Sequence, residues 1–256
     1  MTHAFLDALF ATQSPSPELL ASATREVLAG MSNCAGYADP MAASAPQRFA
    51  FTIAPKILGS AHENAPPSAA ELIFTADRQE DDGESGWYGD QGADGVRALL
   101  VDATVRNLWA GVPFRLAASA AGVAEHPELL TDEVLCEPRI GRIAWASYDT
   151  DRDFLVGAVQ LDGSARSRNF AALAERLRRA SLLASATASG ALRAAHLGLS
   201  PSLLIRTREP NQRRLVAVKA LDVVATPAWS TFLTPMPNNS AKYAEITPTE
   251  GAKTSR

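Results

Sequence analysis

HLGLSPSLLIRTREPNQRRLVAVKALDVVATPAW, residues 196–229, holds two long β-prone runs separated by one polar turn. Apolar and β-branched residues fill the run after Ser200 and the run Leu215–Val224, and a Pro-containing polar stretch divides them. This pattern predicts a strand, a turn and a second strand. Pro201 disfavours helical backbone at the residue before it, so the first strand is expected to start at Ser200. Its hydroxyl should then project, partly exposed, from a sheet edge after a short helix at Gly190–His196. Successive strand side chains alternate between faces, so Val216, Val218, Ala220 and Asp222 share one, and Asp222 is expected to face inward or to an interface. Thr226-Pro227-Ala228 then ends the strand.

Outward from this hairpin the pattern predicts an irregular front, an ordered centre and a loose tail. Residues 16–31 carry apolar side chains at helical spacing and close at Gly30, which predicts a helix. Strands are expected at Arg48–Ile53, Ala98–Ala103, Arg139–Tyr148 and Phe154–Leu161, the last two joined through the polar turn Asp149–Asp153. Gln79–Asp94 is acidic and glycine-rich, as an exposed loop would be. Phe170, Leu173, Leu177 and Ala180 recur every three or four residues, predicting an amphipathic helix over Asn169–Leu183. Beyond Pro235 the chain is polar and nearly without large apolar residues, a composition that predicts disorder. The expected architecture is α+β: a mainly antiparallel, barrel-like sheet flanked by helices. Its divisions are a helical amino-terminal extension over 1–47, a sheet domain over 48–234 and a flexible tail over 235–256.

Bulk composition excludes several classes. Hydrophobic residues make up 46% and charged residues 20% of the 256, an ordinary globular balance that allows a sizeable core. A formal net charge of −4 lacks the basic footprint of a general nucleic-acid binder, so no specific nucleic acid is expected. No apolar run is long enough to span a bilayer, and the first twenty residues lack the basic and apolar regions of a signal peptide. Cys34 and Cys136 stand far apart without CxxC spacing, which fits a reducing compartment and gives no disulfide framework or zinc site. Gly83–Asp90 has no lysine for a phosphate loop, and Asp149–Asp153 does not continue as a calcium loop. Arg206, Arg208, Arg213 and Arg214 form a basic patch around one turn, usually a solvated feature and otherwise a grip for an acidic segment.

A serine, a histidine and a further polar group on separate strands are the parts that acyl transfer needs, because a hydroxyl attacks only when an oriented base takes its proton. His126, the strand Gly141-Arg142-Ile143, the turn Leu199-Ser200-Pro201 and a strand pair ending near Asp222 and Pro227-Ala228 follow one another in that order. This layout resembles the prohead, or capsid maturation, proteases of tailed phages, and is more distantly similar to the herpesvirus assemblins. The resemblance covers about residues 98–234. It implies Ser200 as nucleophile, His126 as base and Asp222 as the acid that orients it. Ser202, on the same strand face, is the rival nucleophile, and Glu128, Asp132 and Glu133 are alternative orienters. The herpesvirus Arg-Arg pair has no counterpart after Asp222, so oxyanion donors are expected from backbone amides near Ser200.

The activity so implied is a serine endopeptidase that trims phage scaffold and major capsid protein during prohead maturation, after self-cleavage. It would act as a homodimer in the host cytoplasm, inside the assembling prohead, with no metal, no organic cofactor and no membrane partner. Two other readings stay open: a protease-fold virion or scaffold-associated protein without activity, and an unrelated binding domain whose Ser200, His126 and Asp222 lie apart.

Overall fold

The computed structural model describes residues 17–32, 45–57, 72–75, 84–87, 92–119, 121–130, 137–184, 197–209, 212–225 and 229–236. Three helices and ten strands lie within them: α1 (Pro17–Ser32), β1 (Arg48–Ile57), β2 (Leu72–Thr75), β3 (Glu84–Trp87), α2 (Gly92–Val105), β4 (Pro113–Ala118), β5 (Ala124–Glu125), β6 (Arg139–Asp149), β7 (Phe154–Leu161), α3 (Ala165–Ala184), β8 (Gly198–Glu209), β9 (Gln212–Val224) and β10 (Trp229–Pro235). The fold is α+β. One sheet runs β10-β1-β7-β6-β4-β9-β8-β2-β3, with β5 added against β4. The pairings of β4 with β9 and of β2 with β8 are parallel. The Leu199 N–H on β8 donates to Thr231 Oγ1 on β10 at 3.1 Å, although six pairings separate these strands in the sheet. The sheet therefore curls into a half-barrel.

Alternation builds the core. Phe49, Phe51 and Ile53 of β1 turn inward at period two and meet Leu155 and Val159 of β7 and Ile140 and Ile143 of β6. Phe170 of α3 closes the open side, its ring 6.2 Å from Phe49 and edge-on to Phe114 at 5.6 Å. Ala23, Val27, Leu28 and Met31 of α1 stand at i, i+4, i+5 and i+8, one face of the helix, and join this same core. Gly141 lies so close to β7 that an added Cβ would stand 2.5 Å from the Gln160 carbonyl oxygen, so the Gly-x-Ile element is a packing requirement. No helix among the described residues is long and apolar enough to cross a membrane.

Two expectations are overturned. Ala98–Ala103 is the second half of helix α2, not a strand. A six-residue apolar run fits either period; Leu99, Leu100 and Ala103 bury one helical face, and Asp102 pairs with Arg106 one turn on. Asn107, at φ 53, then leaves the helix through left-handed backbone. The acidic stretch Gln79–Asp94 is not wholly loop, since β3 and the start of α2 fall inside it, and β3 pairs with β2. The helix expected at Gly190–His196, the tail beyond Met236, both cysteines, His3, His62 and His196 lie outside the described residues. So do Asp132 and Glu133, while of the side chains of the basic patch at Arg206–Arg214 nothing is described.

Candidate active site

Three strands and one short loop converge on a charged cluster inside the half-barrel. The β8–β9 register sets Ser200 opposite Asp222 and Ser202 opposite Ala220. The parallel β4–β9 pairing sets Arg115 beside Asp222. His126 arrives from β5, which is held at both sides: Ala117 and Ala118 of β4 pair with it, and the Ala225 N–H donates to the Ala124 carbonyl at 2.9 Å. Gly122, at φ +74 and packed against the backbone of Arg25, makes the tight turn that feeds β5. Pro127 starts a single 3-10 turn immediately after the histidine, and Leu129 N–H donates back to the His126 carbonyl at 3.0 Å.

The side chains then connect in series. Ser200 Oγ lies 2.9 Å from His126 Nε2, and Asp222 Oδ2 lies 2.7 Å from His126 Nδ1. With the proton on Nδ1, the imidazole donates to the carboxylate and presents a lone pair to the hydroxyl. Ser202 takes a different place: its hydroxyl donates to Asp222 Oδ2 at 2.7 Å and stands 3.4 Å from Nδ1, on the carboxylate side of the ring. All three residues named from sequence thus meet at one point, and the four side chains are buried.

Burial departs from expectation at the serine. Ser200 is the third residue of β8, a strand paired on both sides, and only 1% of it is exposed. Leu199-Ser200-Pro201 is continuous strand that begins at Gly198, so the partly exposed edge position expected of Ser200 does not arise. His126 beside it is enclosed as well, 0% exposed.

Arg115 joins the site as a residue that the serine–histidine–acid pattern does not include. Its guanidinium forks onto Asp222, Nε to Oδ1 at 2.6 Å and Nη2 to Oδ2 at 2.8 Å, while Nη1 reaches Glu128 Oε1 at 2.9 Å. Burial alone would push the Asp222 carboxyl up, but the hydrogen bond from His126 and the fork and charge of Arg115 hold it below the ordinary aspartate range. Burial works against the Arg115 charge too, yet the Asp222 and Glu128 partners raise its proton affinity. Glu125, half-buried, is pushed up by burial, and the bond its Oε1 accepts from the His126 N–H opposes that only in part. A signal was available: Val-Pro-Phe-Arg-Leu-Ala-Ala over 112–118 sets one cation in an apolar strand, which demands a buried anion.

Ligand atoms of His126, Glu128 and Asp222 lie within 4.8 Å of one another. Arg115 already donates to both carboxylates, and a metal cation there would meet its fixed charge. The donor set is that of an ion-pair network around an imidazole. Compared with models of protein families, with curated proteins and with solved structures, the chain matches none.

Proposed function

We propose that this chain is a serine endopeptidase of the prohead-maturation type, with Ser200 as nucleophile, His126 as base and Asp222 as orienter. The observation that carries the reading is the unbroken series from Asp222 Oδ2 through both imidazole nitrogens to Ser200 Oγ, at 2.7 and 2.9 Å. In the reaction His126 Nε2 takes the Ser200 proton as Oγ attacks the scissile carbonyl carbon. Asp222 stabilises the imidazolium, which returns the proton to the leaving amine; water then hydrolyses the acyl-enzyme by the same relay. Scaffold and capsid-protein segments are the substrates the family resemblance supplies, and self-cleavage, a homodimer and action inside an assembling prohead in the host cytoplasm come with it.

A second reading, a protease fold kept as a structural virion component, is favoured by the burial of Ser200, which offers a substrate no direct approach. A fluorophosphonate probe on the full chain separates the two, because only an activated serine is phosphonylated. A covalent adduct mapped to Ser200 and absent from Ser200→Ala supports the peptidase. Failure to label, in a chain shown to be folded, favours the structural component.

A further inference from the structure

The opposite face of the sheet carries a second constellation that the hydrolytic reading does not use. Arg48 on β1 and Arg142 on β6 each pair in register with Gln160 on the intervening β7, which makes one row across three strands. Opposed residues of antiparallel strands share a face. That face is outward, because their neighbours Phe49, Val159 and Ile143 fill the core. At a strand spacing of about 4.8 Å the two arginine backbones stand roughly 10 Å apart. Gln160 orients the first: its Nε2 donates to the Gln47 and Leu161 carbonyls, fixing the amide so that Oε1 accepts from Arg48 Nε at 2.6 Å. The terminal nitrogens of Arg48, and the whole Arg142 guanidinium, make no hydrogen bond or ion pair among the described residues.

The next row is Ala50, Ala158 and Trp145. Two alanines form a low floor, and Trp145 stands beside it 46% exposed. A β-bulge between Ile143 and Trp145 precedes the tryptophan; such an insertion re-aims the side chain that follows it. Apart from Ala50, these residues line an open cleft of about 430 Å³, together with Gly111 and Met236. That size is within the range of functional ligand sites.

We propose that this cleft binds an acidic peptide segment in extended form, two same-face carboxylates on the arginine forks and the next same-face side chain, an apolar one, against Trp145. Arginine forks match carboxylates bidentately, and an aromatic wall adds apolar contact at small entropic cost. Same-face side chains of an extended chain recur about every 7 Å, so acids two residues apart reach both forks of the row, and an apolar residue two further on falls on the same face. A net charge of −4 makes the cleft a local exception on an acidic molecule, which selects anionic ligands while giving no footprint for a nucleic-acid backbone. The chain's own residues 237–256 carry Lys242, Lys253 and Arg256 against Glu245 and Glu250, the wrong balance for this site. The inference stands independently of the catalytic reading.

The test is fluorescence anisotropy of the full chain with the labelled peptide Gly-Ser-Glu-Phe-Glu-Glu-Phe-Ser-Gly and its counterpart with glutamine for every glutamate. The acidic peptide is expected to bind and the glutamine peptide not. Arg142→Glu should abolish binding, Trp145→Ala should weaken it about tenfold, and salt should weaken it progressively. These positions are exposed, and circular dichroism checks that the variants fold. Equal binding of both peptides, or by Arg142→Glu, overturns the proposal. So does a single-stranded oligonucleotide that binds more tightly and is lost with Arg142→Glu, or a dimer of the chain that Arg142→Glu dissolves; each names a different occupant.

Discussion

The same sheet holds arginine in two opposite circumstances. On the inner side Arg115 is enclosed, and five of its hydrogen-bonding contacts reach Asp222, Glu128 and Ser202. On the outer side Arg142 is exposed and Arg48 is held by one amide. A buried guanidinium stripped of water must be met by anions, so the inner group is a fixed part of the structure. An exposed guanidinium keeps its hydration and contributes little to folding, so it remains available to a ligand. Chemistry that needs preset geometry belongs on the first side, recognition on the second.

The sharpest break of this contrast is at the nucleophile. Ser200→Ala should eliminate fluorophosphonate labelling and peptide cleavage altogether while leaving the urea unfolding midpoint close to wild type, since the small residue still fits its strand position. Asp222→Asn comes next, because an amide facing Nδ1 favours the wrong imidazole tautomer. In a chymotrypsin-type enzyme that exchange lowers turnover roughly ten-thousand-fold, a benchmark for the labelling rate here. Labelling that survives Asp222→Asn within a few-fold would remove Asp222 from the relay.

Arg115→Met probes the buried charge itself. Removing one partner of an enclosed ion pair costs about 3–5 kcal/mol, so the variant should unfold at much lower urea. The pH dependence carries the sign. Asp222 has its proton affinity lowered in the folded state, so the stability it contributes is complete above the ordinary aspartate range and is lost as pH falls through its lowered value. Without Arg115, burial pushes that value up, and both stability and labelling should fail at a higher pH than in wild type. Arg115→Lys keeps the charge but not the fork and should lie between. A uniform loss at every pH would make Arg115 structural only. Ser202→Ala should be milder, since Asp222 Oδ2 keeps its bonds from His126 and Arg115. A loss of about 1 kcal/mol and less than a tenfold drop in labelling is expected.

Local order was legible where one period dominated. Phe154–Leu161 is β7 to the residue, and the helix expected from Phe170, Leu173 and Leu177 is α3 with four more residues at its start. Ala98–Ala103 misled because six apolar residues suit a buried helix as well as a strand. At the site, Ser200, His126 and Asp222 were legible through their order along the chain, but their enclosure was not. Ser200 is buried because its side chain faces the inside of the half-barrel beneath His126, which β5 brings there, and a single sequence carries no signal for that packing. Arg115 was not legible for a related reason: its partner is 107 residues away, joined through the parallel β4–β9 register.

The smallest expected effect falls on the outer row and tests the other half of the contrast. Arg142→Ala removes a cation as large as Arg115, from a strand that also contributes Ile140 and Ile143 to the core. If burial and pairing, rather than residue type, set the cost, the unfolding free energy should change by no more than about 0.5 kcal/mol, and in either direction. Urea unfolding near neutral pH at low and moderate salt is the measurement. Arg48 stands two strands away with the same charge, so relief of weak repulsion would leave the variant slightly stabler at low salt, a gain that screening removes. A loss approaching that of Arg115→Met would mean that Arg142 is held by anions as Arg115 is, and the outer cleft would then be structural.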